Sequence, residues 1–256
     1  GTLTSLPIQR LAAANPARRI ELNPVTETVP ALKQLFADVR IARTAVGIAF
    51  FWFLASLAQL NIDPFGEQTL RLAKEHIGIL MAVLVAGLGV GSVLAGWWSG
   101  GRVELGIVPL GALGIIASSL LTFVASSGVD SARPVLEQGA FYWSCVGLFL
   151  IGASAGLFDI PLEAYLQYKS DDANRGTILA GSNFIAFSGI LLSCGLFSLM
   201  RGPLGMTSGE IFMVAGLLTI PVAWYVIKLL PAAFIRFLMW MATHTLYRVR
   251  VTGETN

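Results

Sequence analysis

The stretch Gly147-Leu-Phe-Leu-Ile-Gly-Ala-Ser-Ala-Gly-Leu-Phe-Asp-Ile-Pro-Leu-Glu-Ala-Tyr-Leu-Gln167, continued by Tyr168-Lys-Ser-Asp-Asp-Ala-Asn-Arg-Gly176 and a second apolar run from Thr177, decides the fold. An apolar segment that opens at Phe141 crosses most of a bilayer before it meets Asp159 and Glu163, one helical turn apart and so on one face. A charge deep in hydrocarbon costs roughly 2.5 to 3.5 kcal/mol on insertion scales, so such residues turn to a protein interior, a wet cavity or the interface. From Phe141 to Asp159 is about 27 Å along a helix axis, which puts the acid near one membrane boundary. Interface anchoring and a functional polar patch both remain open for this pair. Pro161 between the two acids removes a hydrogen bond to the carbonyl one turn earlier and is expected to kink the helix.

Working outward, the 256 residues are 55% hydrophobic and 12% charged, with a mean hydropathy of +0.72. That composition excludes an ordinary soluble domain. The apolar residues form six runs, Ala42 to Asn61, Ile77 to Trp98, Gly106 to Ala125, Phe141 to Phe158, Ile178 to Met200 and Ile211 to Leu230. Each is near the ~20 residues that span a bilayer as a helix. Alternation of the kind a membrane barrel needs is absent, so an all-α integral membrane bundle is expected.

Charge gives the orientation, because cytoplasmic loops retain Lys and Arg. Assigned to alternate connections, thirteen basic residues fall on one side, among them Arg10, Arg18, Arg19, Lys33, Arg40, Arg43, Arg102 and Arg175, and four on the other. Both ends are then expected in the cytoplasm. The basic residues are dispersed over connections, which argues for orientation and against nucleic-acid binding. Residues 1 to 40 read as a cytoplasmic loop, with an amphipathic helix after Pro30 from Leu32, Leu35, Phe36 and Val39, suited either to the membrane surface or to a linker. Residues 41 to 231 hold the six spans. Residues 232 to 256 read as an interfacial helix with Phe234, Phe237, Leu238, Trp240 and Met241, followed by strand-like alternation from Tyr247. Because the chain opens at Gly1 without Met and stops just as that alternation begins, it is expected to be a piece of a longer polypeptide.

Several residues in the spans are candidates for function. Gln59 and Asn61 close the first span, where amides serve as helix glue or line a cavity, while Phe50-Phe-Trp-Phe53 reads as lipid-facing bulk. Gly87 to Gly91, Ser92 to Gly96 and Gly96 to Gly100 in the second span, and Gly152 to Gly156 in the fourth, have the spacing that lets helices approach closely. Arg102 and Glu104, in the short connection after the second span, suit the carbonyl end of one helix and the amino end of the next, with substrate contact as the other reading. Ser182, Asn183 and Ser188 are expected to share a face of the fifth span. No zinc, haem or iron-sulfur pattern can be built around His76 and His244, so neither metal nor cofactor is expected. Cys145 and Cys194, inside apolar runs, read as packing residues. No H-x-x-x-x-D pair, Walker loop or other catalytic centre is visible.

Six spans behind a basic loop resemble the second half of a major facilitator superfamily transporter, whose twelve spans form two six-helix halves. The turn Gly100-Gly-Arg102 resembles a degenerate copy of that superfamily's cytoplasmic loop motif, with glycines where the acid stands. Val103-Glu-Leu-Gly-Ile-Val-Pro-Leu-Gly111, Gly156-Leu-Phe-Asp-Ile-Pro-Leu-Glu-Ala-Tyr-Leu-Gln167, Asn174-Arg-Gly and Ser182-Asn-Phe are similar to the bacterial lysophospholipid transporter branch. The tail Phe237-Leu-Met-Trp-Met-Ala-Thr-His-Thr-Leu-Tyr-Arg-Val-Arg-Val-Thr-Gly253 resembles the opening of a glycerolipid acyltransferase domain of the 2-acylglycerophosphoethanolamine type. The two resemblances together imply inward movement of a lysophosphatidylethanolamine-like lipid across the bacterial inner membrane, for re-acylation by a fused domain. They imply as partners an N-terminal six-helix half, a downstream acyltransferase and membrane lipids. Gln59, Asn61, Asp159, Glu163 and Asn183 would then serve the headgroup or a gate, and Arg102 and Glu104 a cytoplasmic gate. A facilitator for a small polar solute or drug, and a plain membrane anchor for the acyltransferase, are the rival expectations.

Overall fold

A computed structural model describes residues 24–130 and 132–245. The basic stretch around Arg10 and the alternating run from Tyr247 lie outside them. A short helix, α1 (Pro24–Ala37), leads into α2 (Val39–Pro64), α3 (Lys74–Ser99), α4 (Ile107–Ser127), α5 (Gly139–Lys169), α6 (Arg175–Arg201) and α7 (Ser208–Leu229), and α8 (Pro231–Thr245) follows. Six of these, α2 to α7, are long and apolar enough to cross a membrane, and the described residues contain no strand. The protein is an all-α membrane bundle.

Local chemistry sets the helix ends. The Asp38 side chain accepts from the Arg40 N–H at 2.7 Å and starts α2. Thr207 and Glu210 form a reciprocal capping box at the start of α7. At the end of α3, Gly100 takes a left-handed conformation at φ 56°, open to glycine without a Cβ penalty. Its N–H closes on the Trp97 carbonyl, and the backbone N–H of Arg102 donates to the Ser99 carbonyl. The turn's backbone therefore meets the end of α3, where the sequence suggested the Arg102 side chain. A single π-helical turn, Phe65–Thr69, ends α2.

Helix α5 is the hub, packing on α3 and α4 and, less extensively, on α2; α2 also lies along α6, and α4 along α7. The α3–α5 contact is a glycine seam. A Cβ on Gly87 or Gly91 would strike the α5 backbone at Phe149 and Ala153, and one on Gly152 or Gly156 would strike the α3 backbone between Leu84 and Ser92. With lipid as apolar as leucine, such close backbone approach is what membrane helices gain from association. Gly96 belongs to no seam; nothing lies within 4 Å of where its Cβ would be.

Helix α5 runs uninterrupted through Asp159, Pro161 and Glu163. The helix continues about three turns beyond the apolar run that ended at Phe158, and Pro161 is buried inside it. Of Phe50 to Phe53 only Trp52 is exposed; Phe51 is buried, and Phe50 meets Phe158 edge-on at 6.4 Å. The expected lipid-facing aromatic cluster is thus largely core. Helix α1 rests on α6 through Ala31 and Leu35, opposite Gly181, and leaves Phe36 exposed; Val39, expected on the same helix, is instead the exposed first residue of α2. Helix α8 packs on the α3–α4 connection: Phe237 is buried beside Trp98 (5.8 Å) and Trp240 (6.0 Å), and Ala233 lies over Gly106.

Candidate functional site

The two ends of the bundle differ in chemistry. At one end Asn61 of α2 meets Ser208 of α7, and Arg201 of α6 bonds to Gln68 beyond α2. At the other, the first turns of α2 approach the α3–α4 connection and the last turns of α5 and α7. A cavity of about 540 Å³ opens there among α2, α4, α5 and α7. That is within the usual 300–1,000 Å³ of a ligand pocket.

The cavity follows from side-chain size. Helix α7 lies along α4 and touches α2 only sparingly, so the α2–α7 seam stays open. Gly47 contributes no side chain to the lining, and the end of Leu162 packs against it. Phe158 and Leu162 of α5, and Val222 and Val226 of α7, are each one turn apart and turn the same apolar face inward. Phe50 closes the deep side.

The rim is polar and positive. Arg40 and Arg43 occupy the first turn of α2, three residues apart and so on one side of it, and Tyr165 and Tyr225 stand with them. No carboxylate pairs with either guanidinium among the described residues. The Thr44 hydroxyl donates back to the Arg40 carbonyl at 2.9 Å. Asp38 is spent on the helix cap, and Glu104 accepts from the Gly106 N–H at 3.1 Å and pairs with Arg236 at 3.2 Å. Lys228 stacks its ammonium over the Trp224 ring at 4.4 Å. An apolar pocket under two unpaired guanidinium groups can hold a hydrocarbon chain and an anionic head at once.

The candidates from the sequence do not converge on this cavity; none of the seven lines it. Asn61 is fully buried at the opposite end, where its Nδ2 donates to the Ser208 carbonyl at 2.9 Å. Of its two open readings, helix glue is the one its contact fits. Gln59 is exposed two residues earlier. Asp159 is partly buried with Oδ1 unpartnered, and Glu163 is half-buried beside it. Asn183 is exposed on α6 while its neighbour Ser182 is buried, and Ser188 donates to the Phe184 carbonyl, so these three do not share one environment. Adjacent positions sit about 100° apart on a helix, enough to send one inward and the next outward. Arg102 is exposed, and Glu104 serves the amino end of α4 as its position suggested. Among the described residues, no three His, Cys, Asp or Glu side chains gather as a metal site would need.

In the sequence Arg40 and Arg43 stand out as charges that orient the chain, and Arg40 also as part of the polar side of the short helix after Pro30. The usable signal was an Arg pair at i,i+3 opening an apolar span with a glycine one turn on. The contributions of α5 and α7 carry no such local mark. No protein-family model matches the chain, and no solved structure matches it.

Proposed function

We propose that this bundle carries a lysophospholipid of the lysophosphatidylethanolamine kind across a bacterial inner membrane, as the second half of a twelve-helix transporter of the major facilitator type, and hands it to an acyltransferase domain in the same polypeptide. The observation that supports this most is the cavity, apolar over its depth and cationic at its rim. A lysophospholipid has one acyl chain and a phosphate, and the two halves of the cavity offer each a matching surface. A small polar solute needs polar groups along the depth of its site, and Phe50, Phe158, Leu162 and Val226 supply none. A plain anchor gains nothing from a cavity, since unfilled space between helices forfeits packing energy.

The Arg40 end faces the cytoplasm in this reading, following the excess of basic residues there. A lipid seated with its phosphate at Arg40 and Arg43 then stands with its head at the inner surface, as re-acylation from the cytoplasm requires. The test is flux of labelled lysophosphatidylethanolamine into spheroplasts with and without the full polypeptide. Uptake that depends on the protein is expected. Equal uptake in its absence overturns the reading, and protein-dependent uptake of a sugar or drug with none of the lipid selects the polar-solute facilitator.

A further inference from the structure

The rim of the cavity is charged on one side only. The residues that line it include Arg40 and Arg43 and no aspartate or glutamate. Among the described residues each acid nearby has a place away from the lining. Asp38 caps α2, Glu104 is shared between the Gly106 N–H and Arg236, and Asp159 and Glu163, each one residue beyond the lining Phe158 and Leu162, do not line the cavity. The remaining cations of the neighbourhood, Lys228 on α7 and Arg236 on α8, add to the same sign. A phosphate placed at the rim meets two guanidinium groups, each able to donate in a fork. An ammonium on the same headgroup meets no counter-charge among the described lining residues and lies beside like charge.

We infer that Arg40 and Arg43 select the lipid by net headgroup charge, so that the site prefers a single-chain phospholipid whose head is anionic overall, such as a lysophosphatidylglycerol, to a zwitterionic one. This rests on the lipid-carrying reading of the cavity and ranks headgroups within it, with lysophosphatidylethanolamine as a carried lipid that binds less tightly than an anionic one. The preference belongs to the pair of arginines and not to the acyl pocket, which treats equal chains alike. Tyr165 and Tyr225 add hydroxyls at the rim that serve any phosphate and so do not discriminate.

Binding measures this without any transport. The full polypeptide is placed in phosphatidylcholine nanodiscs with a fluorescent single-chain lipid probe, which is displaced by lysophosphatidylglycerol, lysophosphatidylethanolamine and lysophosphatidylcholine of equal chain length. The anionic lipid is expected to compete about two- to fivefold better than either zwitterion, the scale of one unmatched charge at a solvated rim. Glycerol 3-phosphate, a headgroup without a chain, is expected not to compete; if it displaces the probe as well as the lipids do, the site is a free-phosphate site and the inference fails. In Arg40→Gln with Arg43→Gln, the three lipids are expected to compete equally, and Arg40→Lys with Arg43→Lys is expected to keep the anionic preference. Equal competition by all three lipids in the unaltered protein, or a preference that survives both Gln substitutions, overturns the inference. Charge discrimination without flux would instead sink the transport reading and leave the selectivity standing.

Discussion

The seam between α3 and α5 and the seam between α2 and α5 both carry glycines and end in different states. In the first, Gly87 and Gly91 face Gly152 and Gly156, and what lies behind each missing side chain is the partner's backbone. The helices close until main chain meets main chain. In the second, Gly47 faces the end of a leucine: a Cβ there would meet Leu162 Cδ1 at 2.9 Å and Cδ2 at 3.9 Å, and no backbone. Phe50 of α2 meets Phe158 of α5 edge-on, so these two helices stay a side chain apart, and the cavity lies beside the pair, bounded by α4 and α7. A glycine in a membrane helix is therefore ambiguous until its opposite number is known, since glycine against glycine brings backbones together and glycine against a bulky side chain seats that side chain and keeps the backbones apart.

The sharpest way to break this comparison is one substitution made in each seam. Gly91→Ala puts a methyl group within 2.6 Å of the Ala153 carbonyl carbon and 2.7 Å of its Cα, atoms that cannot rotate away. It is expected to cost about 3 kcal/mol or more, at the upper end of overpacking penalties, and to appear as loss of the monodisperse bundle in detergent or a large fall in its melting temperature. Next in size is Asn61→Leu, which removes the buried bond to the Ser208 carbonyl between α2 and α7. A loss of about 1 kcal/mol is expected by chemical or thermal unfolding, with lipid binding retained, because Asn61 lies at the far end from the cavity.

Gly47→Ala is expected to cost less than about 1 kcal/mol, because Leu162 can yield. A cost as large as that of Gly91→Ala would show that the second seam is as closed as the first. The smallest effect is expected from Arg236→Ala. Its partner Glu104 keeps the Gly106 N–H, and the Arg236 side chain is 71% exposed. Such a pair contributes about 0.5 kcal/mol or less, and a melt in high salt is expected to show no difference from the unaltered protein.

The six spans were legible because each is a run of apolar residues of bilayer length, a signal carried by neighbouring positions along the chain. The short helices at either end were legible from the spacing of Leu32 and Leu35 and of Phe234, Phe237 and Trp240. What pairs with what was not. The spacing Gly87 to Gly91 announces a close approach without naming Gly152 and Gly156 as its other side, and Gly96 has the same spacing with nothing opposite. The site was hidden for a further reason. Polar residues in an apolar span attract suspicion, and Asn61 earned it through a joint between helices, whereas the cavity is formed by ordinary apolar residues from four helices. Arg40 and Arg43 were visible in the sequence, but their role depends on Leu162 and Val226, more than a hundred residues away.

The proposed function requires that a single acyl chain lie in the cavity beneath Arg40 and Arg43. A lysophospholipid with a photoreactive group at the end of its chain, activated on the full polypeptide in nanodiscs and followed by peptide mapping, tests this directly. Adducts are expected at Phe50, Leu162 and Val226, competed by unlabelled lysophospholipid. Adducts confined to the outward-facing Val93, Leu191 and Leu192, unchanged by that competitor, would contradict it.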